Sequence, residues 1–372
     1  MSDKSIGKVL QEFFPKSTRI DWKNIAVSET NEKDFDFLSW TGKDEILFLP
    51  YYECDDTANL DYLSRFQLPP DKDSFSGARF WVNLPAIEVK AQINPNEIAL
   101  NHLSNGADGI LFDLRQHAKA NLNHLMDKIE WQYCFVGFHV NDPSLLAPLS
   151  AIIKNEYDAA SIKGALFWES IPKKINLDYY FQNCGLFKTL GLIIPSASPT
   201  VEISNALFEG VKIFESHSGS EHRESIFRSV CFSLSLDHSF FECIAKLKAL
   251  RLLWFQVAQS YSLNDYKISD LHVHTRCEAL AQNNLPGPEN LLRFTFSAMS
   301  TVLGGCDSHT IYTAHDQVMM SRLARNVSNI LKEESFFNRV ADPLAGAYAM
   351  DVMVDEMAKK AWGLFQVKWK SS

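Results

Sequence analysis

Short, nearly continuous apolar runs alternate with helical periodicity along most of the chain, starting near residue 78. The runs are Phe80–Ile87, Gly109–Leu114, Tyr133–Val140, Gly164–Glu169, Thr189–Pro195, Val230–Leu236, Ser269–Thr275 and Ser308–Thr313. Between them lie Asn96–Ser104, Asn121–Ile129, Ser144–Asn155, Tyr179–Phe187, Val201–Phe214, Phe240–Tyr261 and Glu289–Val302, each long enough for a crossover helix. Strands apolar nearly throughout belong to a parallel sheet covered on both faces. Eight of them alternating with helices predict an α/β fold, a (β/α)8 TIM barrel. A doubly wound open sheet is the alternative, but no Gly-rich strand-to-helix phosphate turn follows the first run.

The last repeat spans Leu291–Trp362 and reads helix, strand, helix. Its first helix is expected to bury Leu292, Phe296, Met299 and Val302 and to stop at Gly304-Gly305, where glycine tolerates positive φ. The second helix, from near Asp316, is expected to bury the stripe Met319, Leu323, Val327 and Leu331, with Arg322, Arg325, Lys332 and Glu333 toward water. On Phe240–Tyr261, the series Lys246, Lys248 and Arg251 marks a solvated or partner-facing side. Residues 1–77 read as an N-terminal arm and extension, distinct from a barrel domain over 78–372. The arm carries a short amphipathic helix at Ile6–Phe14 stopped by Pro15, a polar region around Trp22-Lys23, and an apolar run Ile46–Tyr51 ended by Glu53–Asp56. It is expected to pack on a partner or on the barrel.

Composition narrows the class. Hydrophobic residues make up 46% and charged residues 22%, which describes a globular chain with a full core rather than disorder. A net charge of −9 provides no basic field for nucleic acid and would be repelled by an anionic membrane surface. The seven cysteines have no CxxC spacing, an odd total, and several positions inside apolar runs, so a reducing, cytoplasmic setting is expected. MSDKSIGKVLQEFFPKS lacks the apolar core of a signal peptide, and no run approaches a membrane span.

In a barrel, reactive groups sit at the C-terminal ends of strands. The seventh run, Asp270-Leu271-His272-Val273-His274-Thr275-Arg276, places two imidazoles on one face of a strand. That spacing serves metal-dependent hydrolases, with His309 and His315-Asp316 as the further ligands available. Those enzymes carry the motif on their first strand, so no metal is expected here. His139 and His238, near the ends of the third and sixth strands, are placed to line the barrel mouth, with hydrogen-bonded structural residues as the commoner reading.

The Leu291–Trp362 stretch also resembles the methylmalonyl-CoA mutase family. The resemblance rests on Arg293 with Ala298-Met299, Gly304-Gly305, Ala324-Arg325-Asn326, Glu333-Glu334-Ser335, Arg339-Val340-Ala341-Asp342-Pro343, Gly346-Ala347-Tyr348 and Ala361-Trp362, in that order. Upstream, Phe240-Phe241-Glu242 with Arg251-Leu252-Leu253-Trp254 looks like the family's preceding helix, and ADGILFDL at Ala107–Leu114 looks like its second strand. The resemblance implies a barrel that isomerises an acyl-CoA thioester with adenosylcobalamin. Yet the family's Tyr-His pair at the end of strand five is replaced by Ile193-Ile194-Pro195-Ser196, and its N-terminal Met-Tyr-Thr-Met-Arg-Pro-Trp segment has no counterpart. Asp270-Leu271-His272 matches half of the cobalt-ligating Asp-x-His-x-x-Gly loop, with Thr275 at the glycine position and the motif inside the barrel.

The expected role is therefore the small, non-catalytic subunit of a methylmalonyl-CoA mutase, paired with a homologous large subunit that binds adenosylcobalamin. His272, His274 and Arg276 would line a degenerate pocket, falling on the family's Arg, His and Gln. Arg276 and Arg293 are open to two roles, meeting the phosphates of coenzyme A or pairing with Glu278 or Glu289. The alternatives are a catalytic acyl-CoA mutase barrel served by a separately encoded cobalamin domain, and a metal-dependent hydrolase using His272 and His274.

Overall fold

The first predicted strand is broken at Pro85, and the break is where the sheet closes. In the computed structural model, which describes residues 17–30, 35–64, 77–90, 93–117, 120–172, 175–216, 222–236, 239–278, 288–313 and 318–372, β1 consists of Val82–Asn83 and Ala86–Glu88. It is followed by β2 (Gly109–Asp113), β3 (Phe135–Val140), β4 (Lys163–Trp168), β5 (Phe187–Ile193), β6 (Val230–Ser235), β7 (His272–Glu278) and β8 (Ser308–Tyr312). Each strand pairs in parallel with the next, β8 returns to the first half of β1, and the second half of β1 pairs with β2. Proline has no N–H for the ladder. Closure is completed by the Leu84 N–H donating to the His309 carbonyl at 3.0 Å and the Leu111 N–H to the Pro85 carbonyl at 2.9 Å. The sheet is a (β/α)8 barrel.

The crossover helices are α1 (Pro95–Ser104), α2 (Leu122–Met126), α3 (Leu146–Glu156), α4 (Asp178–Asn183), α5 (Pro199–Ser216), α6 (Phe240–Ser260), α7 (Pro288–Gly304) and α8 (Val318–Glu333), with a final helix α9 (Tyr348–Lys370). Starts follow local chemistry. Asn94 caps α1 by accepting from the Glu97 N–H, with Pro95 in the first turn, and Asn121 caps α2 through the His124 N–H. None of the helices among the described residues is long and apolar enough to cross a membrane.

The clearest departure from the sequence reading is on α6, which packs against α5, α7 and α9 and whose face expected to be solvated is internal. Lys246, Lys248 and Arg251 are all nearly buried, at 2%, 5% and 2% exposure. Each is neutralised, as burying a charge requires. Lys246 Nζ donates to Glu202 Oε2 on α5 at 2.8 Å, and Lys248 Nζ donates to both Asp342 oxygens at 2.7 Å. Arg251 donates to the carbonyls of Gly305, Ile268 and Leu271 and to the Asp307 carboxylate. Periodicity cannot separate a solvated lysine from one whose partner lies far away in sequence.

Two helix faces also differ from expectation. Helix α7 buries Phe294, Ala298, Thr301 and Val302 and turns Leu292 and Phe296 outward. In α8, Val327 and Leu331 are buried as expected, but Met319 is exposed while Arg325 and Lys332 are buried. Lys332 pairs with Asp108 and lies over the rings of Phe80 and Trp81. Gly304-Gly305 serves two purposes. Gly305 takes φ +94° to end α7, whereas a Cβ on Gly304 would lie 2.8 Å from Leu247 Cδ1, so that glycine lets α7 approach α6 closely.

The chain divides into two units, residues 1–53 and 54–372. In the first, the region read as polar around Trp22-Lys23 is a helix, Arg19–Thr30, started by reciprocal bonds between Thr18 and Asp21. It has no buried residue and leaves Ile20 and Ile25 exposed. A two-stranded antiparallel pair, Trp40–Thr41 with Leu47–Phe48, follows within the same unit. The amphipathic stretch expected at Ile6–Phe14 lies outside the described residues.

Candidate functional site

Buried side chains pack inside the sheet. Leu84, Leu111, Phe135, Ala165, Phe167 and Cys231 form one buried cluster inside the sheet, with Val82, Ala86, Ile193 and Tyr312 packed against it. Inward positions alternate along each strand, which brings His272 and His274 of β7 into this interior, one above the other, as their spacing predicts.

His272 stacks on the Phe135 ring at 5.2 Å, and His274 lies 4.7 Å from the Phe167 centroid. Both imidazoles meet one hydroxyl. Ser308 Oγ is 2.8 Å from His272 Nε2 and 3.1 Å from His274 Nδ1, and with a single proton it donates to one ring and accepts from the other. Burial, against a favourable Asp307 charge, drives His272 down to about 4, and burial together with its cationic neighbours drives His274 well below the ordinary value. Both rings are neutral at physiological pH. Arg276, one step higher on the same face, donates from Nη2 to the Ile194 carbonyl at 2.9 Å. The structure thus brings the three expected residues onto one inward face of β7, within a packed interior. Arg293 is exposed on α7, and the side chains of Glu278 and Glu289 lie outside the described residues, as do His238, His315 and Asp316.

One of the further ligands considered for a metal, His309, lies apart from the β7 pair. His309 faces the opposite side of the sheet from His274, bonding through Nδ1 to Thr275 Oγ1 at 3.0 Å, between the strands and α8. Among the described residues there is no cluster of three or more His, Cys, Asp or Glu side chains able to hold a metal ion. His272, the only member of the partial Asp-x-His motif that could ligate cobalt, is committed to Ser308 and Phe135 inside the barrel.

At the C-terminal mouth a polar cluster appears that the sequence reading missed. Arg115, just past β2, clamps two carboxylates. Its Nε and Nη2 donate to Asp113 at 3.0 and 2.7 Å, and its Nη1 to Glu169 Oε1 at 2.8 Å. Burial opposes ionisation of Asp113, but the Arg115 bonds outweigh it and hold the carboxyl below its usual range, as they do for Glu169. His139, at the end of β3, is 3% exposed. Its Nε2 has no hydrogen-bond partner and stands 3.9 Å from Glu169 Oε1. Burial and the Arg115 charge push it down to about 4. The available signal was the motif Asp113-Leu114-Arg115 at a strand end, where barrel chemistry concentrates. The arrangement is an ion-paired frame beside a neutral imidazole; it contains no nucleophile held by a base.

The end of β5, where the family's catalytic pair would stand, is aliphatic. Ile193 packs into the interior cluster, Ile194 is 1% exposed, and Pro195 follows. A cavity of about 600 Å³ bordered by Phe80, Val82, Leu103, Tyr133 and Phe135 opens at the N-terminal ends of the strands, away from the mouth.

Residues 196–368 match the family model described as methylmalonyl-CoA mutase. The methylmalonyl-CoA mutase small subunit of Porphyromonas gingivalis is 26% identical over 97% of this chain and 64% of its own length. The methylmalonyl-CoA mutase of Rhizobium meliloti is 37% identical over 36% of this chain and 20% of its own. The small subunit of Streptomyces virginiae is 30% identical over 46% of this chain and 28% of its own. The aligned part therefore spans less than two thirds of each of these relatives. Over residues 196–368 the chain is similar to the methylmalonyl-CoA mutase family, and its likeness to one small subunit of that name runs through nearly its whole length.

Proposed function

We propose that this chain is the small, non-catalytic subunit of an adenosylcobalamin-dependent methylmalonyl-CoA mutase, supporting a homologous large subunit that binds the cofactor and interconverts methylmalonyl-CoA and succinyl-CoA. The observation that carries the reading is the interior cluster, in which Phe135, Phe167, Leu84 and Leu111 pack with the Ser308-tied histidines. It is further supported by the aliphatic end of β5, which has no group to exchange a proton or contact a radical intermediate.

The partner would be met by exposed apolar side chains. On α6 and α7, Phe241, Leu292 and Phe296 are 56%, 60% and 57% exposed. Large exposed apolar groups gathered on neighbouring helices mark association surfaces. A stable pair should bury on the order of 1,600 Å² or more. Co-expression with the large subunit should yield a one-to-one complex by size-exclusion chromatography with light scattering. Phe241→Ser with Phe296→Asp should weaken it at least about tenfold, roughly 1.4 kcal/mol, without shifting the thermal midpoint of the free chain. A free chain that stays monomeric beside the large subunit would contradict the assignment.

A further inference from the structure

Arg325 belongs to the Ala324-Arg325-Asn326 motif, and its side chain is turned into the protein rather than toward a ligand. It is 7% exposed, and its Nη1 donates to His102 Nδ1 at 3.2 Å, while Ser321 Oγ meets His102 Nε2 at 3.3 Å. Its Nε–H has no hydrogen-bond partner. Across the same gap, His309 is 3% exposed and its Nε2 is likewise unpartnered. Both residues line one small cavity of about 20 Å³, together with Asn83, Pro85, Ala86 and Thr313. This is the seam where β8 meets the interrupted first strand and α8 covers both.

The chemistry of the two atoms specifies the occupant. Thr275 Oγ1 donates to the Ser308 carbonyl at 3.2 Å, so it accepts from His309 at 3.0 Å and the proton of the imidazole sits on Nδ1. Nε2 is then a lone-pair acceptor, and Arg325 Nε–H is a donor. A ligand must therefore donate to one and accept from the other. A cation would stand against the Arg325 guanidinium, and an anion would face the Nε2 lone pair. The volume is that of a single water, which needs roughly 10–15 Å³. We propose that one ordered water is bound at this seam, donating to His309 Nε2 and accepting from Arg325 Nε, so that it joins β8 to α8 beside the strand that Pro85 interrupts.

A high-resolution crystal structure of the chain tests this directly. A single water-sized density peak within hydrogen-bonding distance of both His309 Nε2 and Arg325 Nε is expected, with full occupancy and a displacement factor matching its neighbours. Crystals soaked in sodium bromide should show no anomalous peak there, and in Arg325→Met crystals the water peak should be lost while the His309–Thr275 bond remains. A featureless cavity, an Arg325 Nε bonded to another protein group, or a bromide peak between the two side chains would each overturn the assignment.

Discussion

At pH 5 the chain is expected to be close to unfolding, although it is stable at pH 7.5. Burial drives His102, His139, His272 and His309 down to about 4, and His274 lower still, whereas an unfolded histidine titrates near 6.5. The folded state therefore holds these rings neutral. Above about 6.5 neither state gains protons and nothing is lost. As the pH falls from 6.5 toward 4, the unfolded chain takes up protons that the folded chain refuses, and stability declines. Each of the four costs on the order of 1–2 kcal/mol at pH 5, so together they rival a net stability of about 5–15 kcal/mol. Urea unfolding at pH 7.5, 6.5, 5.5 and 5.0 should show a midpoint that falls steeply through this window. A flat profile would mean that the histidines are solvated and the interior is looser than described. His274→Gln should flatten part of the slope.

Arg251→Met is expected to cost about 3–5 kcal/mol, the range for breaking a buried, hydrogen-bonded charge. The guanidinium joins the Gly305, Ile268 and Leu271 carbonyls to the Asp307 carboxylate, and thereby ties α6 to the entries of β7 and β8. Methionine fills the volume but leaves those carbonyls and the carboxylate without their donor, a cost of its own. Chemical denaturation at pH 7.5 reads the effect; a loss below about 1 kcal/mol, the size of a surface ion pair, would show that the site is solvated.

Arg251 also shows where the sequence stops being legible. Eight apolar runs gave the strand positions, since a parallel barrel strand must be apolar on both faces. The paired imidazoles of β7 followed from period-two alternation alone. Burial of Lys246, Lys248 and Arg251 depends on partners at residues 202, 342 and 307, none of which leaves a local mark. The outward Leu292 and Phe296 escape detection for the converse reason. An amphipathic pattern identifies an apolar stripe but not which of two adjacent stripes meets the barrel, and Phe294 with Ala298 fits the closer approach permitted by Gly304. The Arg115 frame at the mouth is built from strands two and four, a pairing fixed only by the closed sheet.

The same physical contrast underlies the functional proposal. Inside this barrel a phenyl ring stacks on His272 and another lies tilted against His274, and the end of β5 is aliphatic. The measurement that tests the proposal most directly is mutase turnover with added adenosylcobalamin, comparing this chain alone, the large subunit alone, and the two mixed. The expected result is no turnover by this chain, and activity or thermal stability gained by the large subunit on mixing. Turnover by this chain alone would contradict it.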